Sequence, residues 1–264
     1  MTHGKATVQP TAFVGHGSPL LALEDGPWHA AMKDWASRLT GVQAVVVVSA
    51  HWESSQAFLV SSSPRPGLLY DFSGFPEALY HLHYEAPGDS VLAARIVQML
   101  QAAGLEAATD ARRPLDHGAW VPLRALFPEA QLPVVQVSLP SPRTPQLLLK
   151  AGHALAPLRA EGVLILGSGG LVHNLRRLSF DGQPAPEAWA TSFEDWMMSG
   201  IKEKNLDRLV QAVHQAPGYP LAVPTPEHLD PVYFSLGAAG EDSPSTIFDG
   251  WQHGNISLRA LAWT

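Results

Sequence analysis

Three continuous apolar runs of strand length stand out along the chain. They cover residues 42–50 (VQAVVVVSA), 132–139 (LPVVQVSL) and 163–166 (VLIL), and a weaker run at residues 12–14 lies near the start. Runs that are apolar at every position are typical of strands covered on both faces, as in a parallel sheet. The pattern therefore predicts a buried sheet made mostly of parallel strands.

Helical periodicity appears between these runs. Apolar side chains recur at helical spacing over residues 91–104, and Asp89 and Ser90 are candidate N-caps for that helix. A second amphipathic helix is predicted over residues 189–201 and a third over residues 206–215. Strands that alternate with helices predict an α/β fold with a mostly parallel central sheet and helices on both faces.

The length of 264 residues suits one domain, so a single domain over residues 1–264 is expected. The 23 prolines and 22 glycines are spread through the chain, which indicates many shaped loops and no separate linker. The longest irregular stretch, residues 70–87, is rich in aromatic side chains. We expect it to cover a pocket.

Composition narrows the chemistry. The chain has no cysteine, so any metal ion must be held by His, Asp or Glu. A net charge of −7 without a Lys/Arg stripe argues against a nucleic-acid partner. No apolar run approaches the ~20 residues of a bilayer span, and residues 1–11 lack the apolar core of a signal peptide. A cytoplasmic protein without a membrane partner is therefore expected.

Three of the twelve histidines follow predicted strands, at the carboxyl ends where α/β sheets form ligand crevices. His16 follows the weak first run, His51 closes the second run, and His173 follows VLIL through the turn GSGGLVHN. His228 lies in the proline-flanked loop PTPEHLDP, and His117 lies in LDHGAWVPL beside an acid and a glycine. Each alone is more often a hydrogen-bonded loop residue than a ligand, so their joint placement carries the prediction.

The remaining histidines are interpreted as peripheral. His81 and His83 would share one face of a strand and imitate a metal pair, but a surface or loop position is favoured. Surface or helical positions are predicted for His3, His29, His153, His214 and His253. Because HExxH, the P-loop pattern and a complete GxGxxG or GxSxG are absent, Ser18 and Ser168 are interpreted as turn serines and not as nucleophiles.

Taken together and in order, six segments resemble the class III extradiol dioxygenases of the LigB type, nearest the 4,5-DOPA dioxygenase extradiol branch. The segments are HGSPLLALEDGPW (16–28), VVVSAHWE (46–53), YDFSGFPEALYHLHYEAPG (70–88), LDHGAWVPLRALFPEAQLPVVQVSL (115–139), GSGGLVHNLR (167–176) and PTPEHLDPVYFSLGA (224–238). The resemblance implies a single catalytic domain, and a non-haem metal-dependent enzyme that cleaves the ring of a DOPA-like catechol. Both atoms of O2 would be incorporated, next to the diol.

The resemblance also implies the ligands of one divalent metal ion, namely His16, His51 and His228. The broader class uses two histidines and one carboxylate, a triad that leaves coordination positions open on Fe(II). Here His228 would take the place of the carboxylate, although the adjacent Glu227 could compete with it. The third ligand is thus less determined than the first two.

Roles for the other residues follow from the same resemblance. His173 is implied as the principal acid/base, with a fourth ligand position as its alternative. His117 is implied in the substrate pocket, as a hydrogen-bond donor to a substrate oxygen or to an oxygen intermediate. Tyr233 and Trp120 are candidates for pocket walls, with an ordinary core position as the alternative.

Fe(II) is the ion expected for activity. Neutral imidazoles also suit Zn(II), which binds more tightly, so zinc is a candidate in purified protein. The expected partners are a small catecholic substrate and O2, and a homodimer is the base-rate expectation for assembly. Two alternatives stay open at this point: a zinc-dependent hydrolase on the same histidines, and a non-enzymatic binding protein that retains the fold.

Overall fold

The structure, a computed structural model, describes residues 8–180, 182 and 184–264, so His3 and its predicted surface position lie outside the described residues. Within them the strands are β1 (Thr11–Gly15), β2 (Ala44–Ser55), β3 (Phe58–Ser61), β4 (Ala107–Asp110), β5 (Val134–Ser141), β6 (Val163–Gly169), β7 (Pro244–Phe248), β8 (Trp251–Gln252), β9 (Ile256–Ser257) and β10 (Ala260–Trp263).

The main sheet has the order β4-β3-β5-β2-β6-β1-β10-β7, and β8 pairs with β9 separately. Its four central strands, β5, β2, β6 and β1, are parallel to their neighbours within that set. The strand β3 is antiparallel to β5, and β10 and β7 extend the other edge with antiparallel pairing. The predicted mostly parallel sheet is confirmed, and the carboxyl ends of its central strands lie together at one edge.

The strand β2 extends further than its apolar run indicates. His51 lies inside the strand, four residues before its end, and does not close it. The pairing of β2 with β5 shifts register between Val48 and Glu53, while the ladder to β6 ends at Ser49. His51 therefore lies on an irregular part of the strand, beyond the last pair of the β2–β6 ladder.

The helices are α1 (Pro27–Ser37), α2 (Glu77–Tyr80), α3 (Ser90–Ala102), α4 (His117–Leu126), α5 (Pro145–Leu155), α6 (Ala188–Lys202), α7 (Leu206–Leu209), α8 (Ala212–Gln215), α9 (Tyr219–Ala222) and α10 (Asp230–Ala239). Short 3-10 helices cover Pro19–Ala22, Ala156–Glu161, Leu175–Arg177 and Pro226–His228. The predicted N-cap of α3 is confirmed, because the Asp89 carboxylate accepts hydrogen bonds from the backbone N–H groups of Val91 and Leu92.

The third predicted helix, over residues 206–215, is wrong as one continuous element. The chain forms two single turns, α7 and α8, separated by two residues. The structure buries Leu209 and Ala212 but leaves Leu206 and Val213 exposed. A continuous helix would have placed the larger apolar residues on one face, so packing against the core has overridden the local periodicity.

Helices cover both faces of the sheet, as predicted. Along β2, Val46 and Val48 pack toward α3, α5, α6 and α10, whereas Val45 and Val47 pack toward α1 and α4. Adjacent residues of a strand point to opposite faces of the sheet. The consecutive apolar residues of β2 therefore pack alternately into the core on one face and the core on the other. Among the described residues, no helix combines the length and the apolar character needed to cross a membrane.

Candidate metal centre

Six histidines line one cavity of about 400 Å³ at the carboxyl edge of the central strands, and five of them are the histidines whose joint placement the sequence predicts. His16 follows β1, His51 lies in β2, and His173 follows β6 after a glycine turn. His228 ends the short 3-10 helix before α10, and His117 is the first residue of α4. The predicted convergence of these histidines is therefore what the fold produces.

Close approach of α4 to the histidines depends on a glycine. A Cβ atom at Gly118 would lie 2.4 Å from Oγ of Ser49, 2.9 Å from Cδ2 of His51 and 3.2 Å from Cε1 of His16. Real Cβ atoms do not come so near to the first two atoms. The glycine after His117 thus lets the start of α4 lie against the cluster.

Three of the imidazoles form a tight group. The ring centroids are 4.9 Å apart for His16 and His51, 5.4 Å for His16 and His228, and 5.0 Å for His51 and His228. One ring nitrogen from each lies within 4.8 Å of the others. The Nε2 atoms of His16 and His51 are 3.0 Å apart.

The orientation of His16 follows from its neighbour Ser168. The Ser168 hydroxyl donates its hydrogen to the carbonyl of Gly118, and its Oγ lies 3.0 Å from Nδ1 of His16. Because a hydroxyl has only one hydrogen, Oγ must accept from the Nδ1–H of His16. The Nε2 atom of His16 therefore carries a lone pair, and that lone pair faces the group. Ser168, which we had interpreted as a turn serine, lies in β6 and orients a histidine.

The other two rings also turn Nδ1 toward a carboxylate, at hydrogen-bond distance for His228 and at a longer, purely electrostatic distance for His51. Nδ1 of His228 lies 2.9 Å from Oε1 of Glu227, and Nδ1 of His51 lies 3.6 Å from Oδ2 of Asp71. A carboxylate is an acceptor, so each Nδ1 facing one is best satisfied as N–H. The Nε2 lone pairs of both rings are then left for the interior of the group.

These lone pairs fit a divalent cation. Nε2 of His228 is buried and has no hydrogen-bond partner in the described part of the chain. Metal–nitrogen bonds of about 2.1 Å at right angles would separate two ligand nitrogens by about 3.0 Å, which is the spacing of the His16 and His51 Nε2 atoms. Three nitrogen lone pairs converge with no N–H group among them. They can therefore serve as three ligands of such an ion.

Burial favours the neutral form of His16 and His51. It lowers the pKa of both well below the ordinary value of 6.5, and neighbouring histidines lower both further through positive charge. Burial likewise lowers the pKa of His173, and His228 adds to this effect. Metal ligands must be deprotonated at the coordinating nitrogen, so neutral rings at His16 and His51 suit metal binding.

Glu227, the competitor for the third ligand position, is engaged elsewhere. Its Oε1 accepts hydrogen bonds from the Thr225 hydroxyl and from Nδ1 of His228. Burial would raise the pKa of Glu227, but the hydrogen bond and charge of His228 outweigh it and lower that pKa to about 2. Among the described residues the group within 4.8 Å contains His228 and not Glu227.

His173 lies beside the group and outside it. Its ring is stacked on that of His228, with centroids 3.5 Å apart and planes inclined by 6°. The ring lines the cavity, but none of its nitrogens belongs to the groups of ligand atoms within 4.8 Å found in the described chain. The geometry is that of a neighbour of the three histidines more than of a fourth member.

Asp71 is a site residue that the sequence analysis missed. Its Oδ1 accepts from the backbone N–H of His117 at 2.9 Å and lies 3.0 Å from Nδ1 of the same residue. Burial would raise the pKa of Asp71, yet the hydrogen bonds and charge of His117 lower it overall. The sequence did contain one signal for Asp71, because this acid lies within the aromatic segment that is expected to cover a pocket.

The rest of the cavity wall is largely apolar. The first part of the segment 70–87 covers the cavity, with Phe72 and Phe75 in its wall. The ring of Phe72 packs edge-on against His117 at 5.6 Å. The other apolar residues of the wall are Pro19, Leu20, Leu175, Leu178, Phe180 and Ile256. Such a wall limits the access of water to the histidines.

Two expectations about the cavity need correction. His253, predicted at the surface or in a helix, lines the cavity from a turn, with Nδ1 3.3 Å from the carbonyl of Ser179. Tyr233 and Trp120 are core aromatics and not walls, because their polar atoms donate to the backbone carbonyls of Leu209 and Leu69. Both residues are buried, and neither lines the cavity.

The peripheral interpretations otherwise hold. His81 and His83 are exposed and lie outside the strands, and Ser18 caps a short 3-10 helix by accepting from the backbone N–H of Leu20. The three remaining described histidines lie on helices α1, α5 and α8, namely His29, His153 and His214.

Comparison with known proteins gives a consistent result. Residues 10–259 match the family model described as the catalytic LigB subunit of aromatic ring-opening dioxygenase. The 4,5-DOPA dioxygenase extradiol of Beta vulgaris is 38% identical over 264 residues, with 97% of each chain covered. The protein of that name from Escherichia coli (strain K12) is 36% identical over 265 residues, with 97% of this chain and 95% of the relative covered.

A solved structure is similar throughout. The crystal structure of an uncharacterized protein from Escherichia coli K12 superposes with a TM-score of 0.83 at 32% sequence identity. The match covers 97% of this chain and 100% of the other. The fold and the order of the site segments are therefore shared along nearly the whole chain.

Proposed function

The chain belongs to the LigB family of aromatic ring-opening dioxygenases, and from this premise we propose that it cleaves the ring of a DOPA-like catechol next to the diol, with both atoms of O2 incorporated. The reaction would take place at one divalent metal ion held by His16, His51 and His228. The observation that carries the proposal is the convergence of three Nε2 lone pairs, each on a ring whose Nδ1 faces a hydrogen-bond or carboxylate partner.

Dioxygenases of this family are metal-dependent, and three neutral imidazoles are suitable ligands for either Fe(II) or Zn(II). When bound, Fe(II) would supply the redox chemistry by which a catechol and O2 react, which Zn(II) cannot supply. We therefore propose Fe(II) as the active ion and Zn(II) as an inactive occupant of the same ligands.

The chain itself would handle the protons of the diol. His173 is proposed as the principal acid/base, because its neutral ring lines the cavity directly beside His228. A correctly placed imidazole of this kind contributes on the order of 10² to 10⁴ in rate. His117, on the side of His51, is proposed to hydrogen-bond a substrate oxygen.

The apolar wall would hold and shield the aromatic ring. A cavity of about 400 Å³ lies within the usual range for small-molecule sites. Phe72 and Phe75 offer ring faces and edges to a catechol, while the histidines below offer nitrogen atoms to its oxygens. Such an arrangement positions the diol toward the metal ligands and excludes water from the reacting atoms.

Family membership favours ring cleavage over the two alternatives, a zinc-dependent hydrolase and a non-enzymatic binding protein. We also retain the expectations that residues 1–264 act as one catalytic domain, that the protein is cytoplasmic and that it forms a homodimer. Light scattering of the purified protein at several concentrations tests the last of these.

The decisive experiment is oxygen uptake. Metal-free protein is loaded with Fe(II) without air, mixed with DOPA and then exposed to air; we expect oxygen consumption and a yellow ring-opened product. His51→Ala is expected to lose both metal and activity, whereas His81→Ala, which changes an exposed histidine, should behave as the wild type. No oxygen uptake by the iron-loaded wild type across a set of catechols would contradict the proposal.

A further inference from the structure

Asp71 is the one carboxylate of the described chain that reaches two cavity histidines. Its Oδ1 is 3.0 Å from Nδ1 of His117, and its Oδ2 is 3.6 Å from Nδ1 of His51. The first contact is not aligned as a hydrogen bond and the second is too long for one, so the carboxylate acts on both nitrogens through its negative charge. The side chain is 18% exposed, although the residue as a whole lies open to solvent at the edge of the aromatic segment. The carboxylate thus points inward from the protein surface.

The two histidines near Asp71 have different roles in the site. His51 belongs to the group of three, while His117 belongs to the cavity beside it, and their ring centroids are only 3.9 Å apart. His16 and His228 have their own partners for Nδ1, Ser168 and Glu227. No such separate partner serves His51 and His117 among the described residues; both Nδ1 atoms face the same carboxylate.

A carboxylate accepts hydrogen bonds and cannot donate them when ionised. A neutral imidazole facing it is stabilised as the Nδ1–H tautomer, which leaves Nε2 with a lone pair. For His51 that lone pair is directed toward His16 and His228. For His117 it makes the neutral ring an acceptor for a hydroxyl of the diol, in place of the donor role that the family resemblance implies.

We propose that Asp71 is a positioning residue that sets the tautomers of His51 and His117 together, so that one ring can bind the metal and the other can accept a hydrogen bond from the substrate. The inference rests on the proposed function of this site. Groups that orient metal-binding histidines in this way commonly affect metal affinity or activity by 10- to 100-fold.

The position of Asp71 in the chain adds a second effect. The adjacent residue is Phe72, whose ring packs against His117. The same carboxylate oxygen also accepts from the backbone N–H of His117, at the first turn of α4. Asp71 therefore attaches the aromatic wall to the helix that presents His117, and the wall and the tautomers are held by one side chain.

The test uses Asp71→Asn. With its oxygen at the position of Oδ1, the amide can still accept from the backbone N–H and face Nδ1 of His117, so the attachment to α4 is retained. The NH2 group at the position of Oδ2 cannot accept from Nδ1 of His51. We expect a folded variant that binds Zn(II) or Co(II) 10- to 100-fold more weakly in chelator competition. At saturating Fe(II), kcat should fall by a similar factor with a smaller change in KM.

A direct readout of the tautomers makes the test independent of activity. Nitrogen-15 spectra of histidine-labelled, metal-free wild type are expected to show the Nδ1–H tautomer at His51 and His117, and Asp71→Asn should shift His51 toward Nε2–H while His117 keeps Nδ1–H. The matched control is Glu77→Gln in the same segment, where the carboxylate lies 3.4 Å from His81 with both groups exposed. That variant should retain wild-type metal affinity, kcat and tautomers.

Each outcome has a clear meaning. Wild-type metal affinity and kcat in a folded Asp71→Asn variant would overturn the inference, as would the Nε2–H tautomer at both histidines of the wild type. If Asp71→Asn does not fold, the wild-type spectra still decide the question. Iron-loaded wild type without oxygen uptake would contradict the proposed function, while the tautomer and metal-affinity results would judge the role of Asp71 separately.

Discussion

Glu227 and His228 are adjacent in the chain, and the carboxylate of the first lies 2.9 Å from Nδ1 of the second. Both side chains are candidates for one ligand position. In the structure the ring of His228 faces the cluster, and the carboxylate of Glu227 holds that ring from the other side. Nε2 of His228 is buried and without a partner among the described residues, which leaves it free for a metal ion. The adjacent acid contributes orientation and negative charge.

Replacing this acid tests its role. Glu227→Gln is expected to retain a metal site but to weaken Zn(II) binding by about 10- to 100-fold, because a neutral amide oxygen is a weaker acceptor than a carboxylate for Nδ1–H of His228. His228→Ala should lose far more. Equilibrium competition with a chromophoric chelator measures both. If Glu227→Gln abolishes binding while His228→Ala retains it, the ligand assignment is reversed.

A methyl group at Gly118 should disturb the cluster from the side of α4. Gly118→Ala would place a Cβ 2.4 Å from Oγ of Ser49 and 2.9 Å from Cδ2 of His51. Such overpacking typically costs about 1–3 kcal/mol, so the free energy of unfolding and the metal affinity should both fall. Gly26→Ala, where no atom lies within 4 Å of the new Cβ, is the matched control. Urea titrations with and without Zn(II) provide the comparison.

Metal removal should destabilise the wild type. A ligand present at about 1,000 times its Kd stabilises the folded state by ~4 kcal/mol, so chelator-treated protein should melt at a lower temperature and recover with Zn(II). His16→Ala should show no such recovery, since one of three ligands is missing. Zinc-loaded wild type should be stable but should not consume oxygen with a catechol. A melting temperature unaffected by chelator and by Zn(II) would count against a metal ion at these histidines.

A pH dependence of stability is expected from a buried acid outside the site. Burial raises the pKa of Glu194 above its ordinary value of 4.5, although Arg259 and Ser257 oppose the shift. Between the unfolded and folded pKa values the folded state binds more protons, so the free energy of unfolding falls as pH rises through that window and then levels off. The slope cannot exceed about 1.4 kcal/mol per pH unit for one group.

Glu194→Gln should remove this part of the pH profile, which urea denaturation from pH 4 upward can measure. Glu187→Gln is the contrasting control. Hydrogen bonds from Arg177 and Trp189 lower the pKa of Glu187, so its stabilisation is present above the unfolded value and is lost as pH falls. Its contribution should be small because the pair with Arg177 is solvent-exposed. Identical profiles for Glu194→Gln and the wild type would contradict the expected titration.

Much of the architecture was accessible from local pattern. The buried strands β2, β5 and β6 correspond to runs in which consecutive residues are mostly apolar, because a strand covered on two faces needs apolar residues at odd and even positions alike. Helix α3 followed from its period and its cap at Asp89. The division into α7 and α8 did not follow, because burial of Leu209 and Ala212 depends on neighbours distant in the chain.

The candidate site divides in a similar way. His16 and His51 were expected to converge because residues that follow or extend parallel strands meet at one edge of the sheet. His253 was missed because it comes after the last predicted helix and enters the cavity through a turn with a left-handed backbone, φ 53°. Asp71 was missed for a related reason. It lies in an irregular segment, where no hydrophobic periodicity predicts the direction of a side chain.

The sequence by itself determined which residues could form strands, which histidines could serve as ligands and, through its similarity to a known family, what reaction to expect. Only the tertiary structure decided which nitrogen of each imidazole faces the cluster. That choice depends on Ser168, Asp71 and Glu227, and the contact of Ser168 with His16 spans 152 residues. Hydrophobic periodicity is a local property of the chain, whereas a tautomer is selected by whichever donor or acceptor folding brings to the other side of the ring.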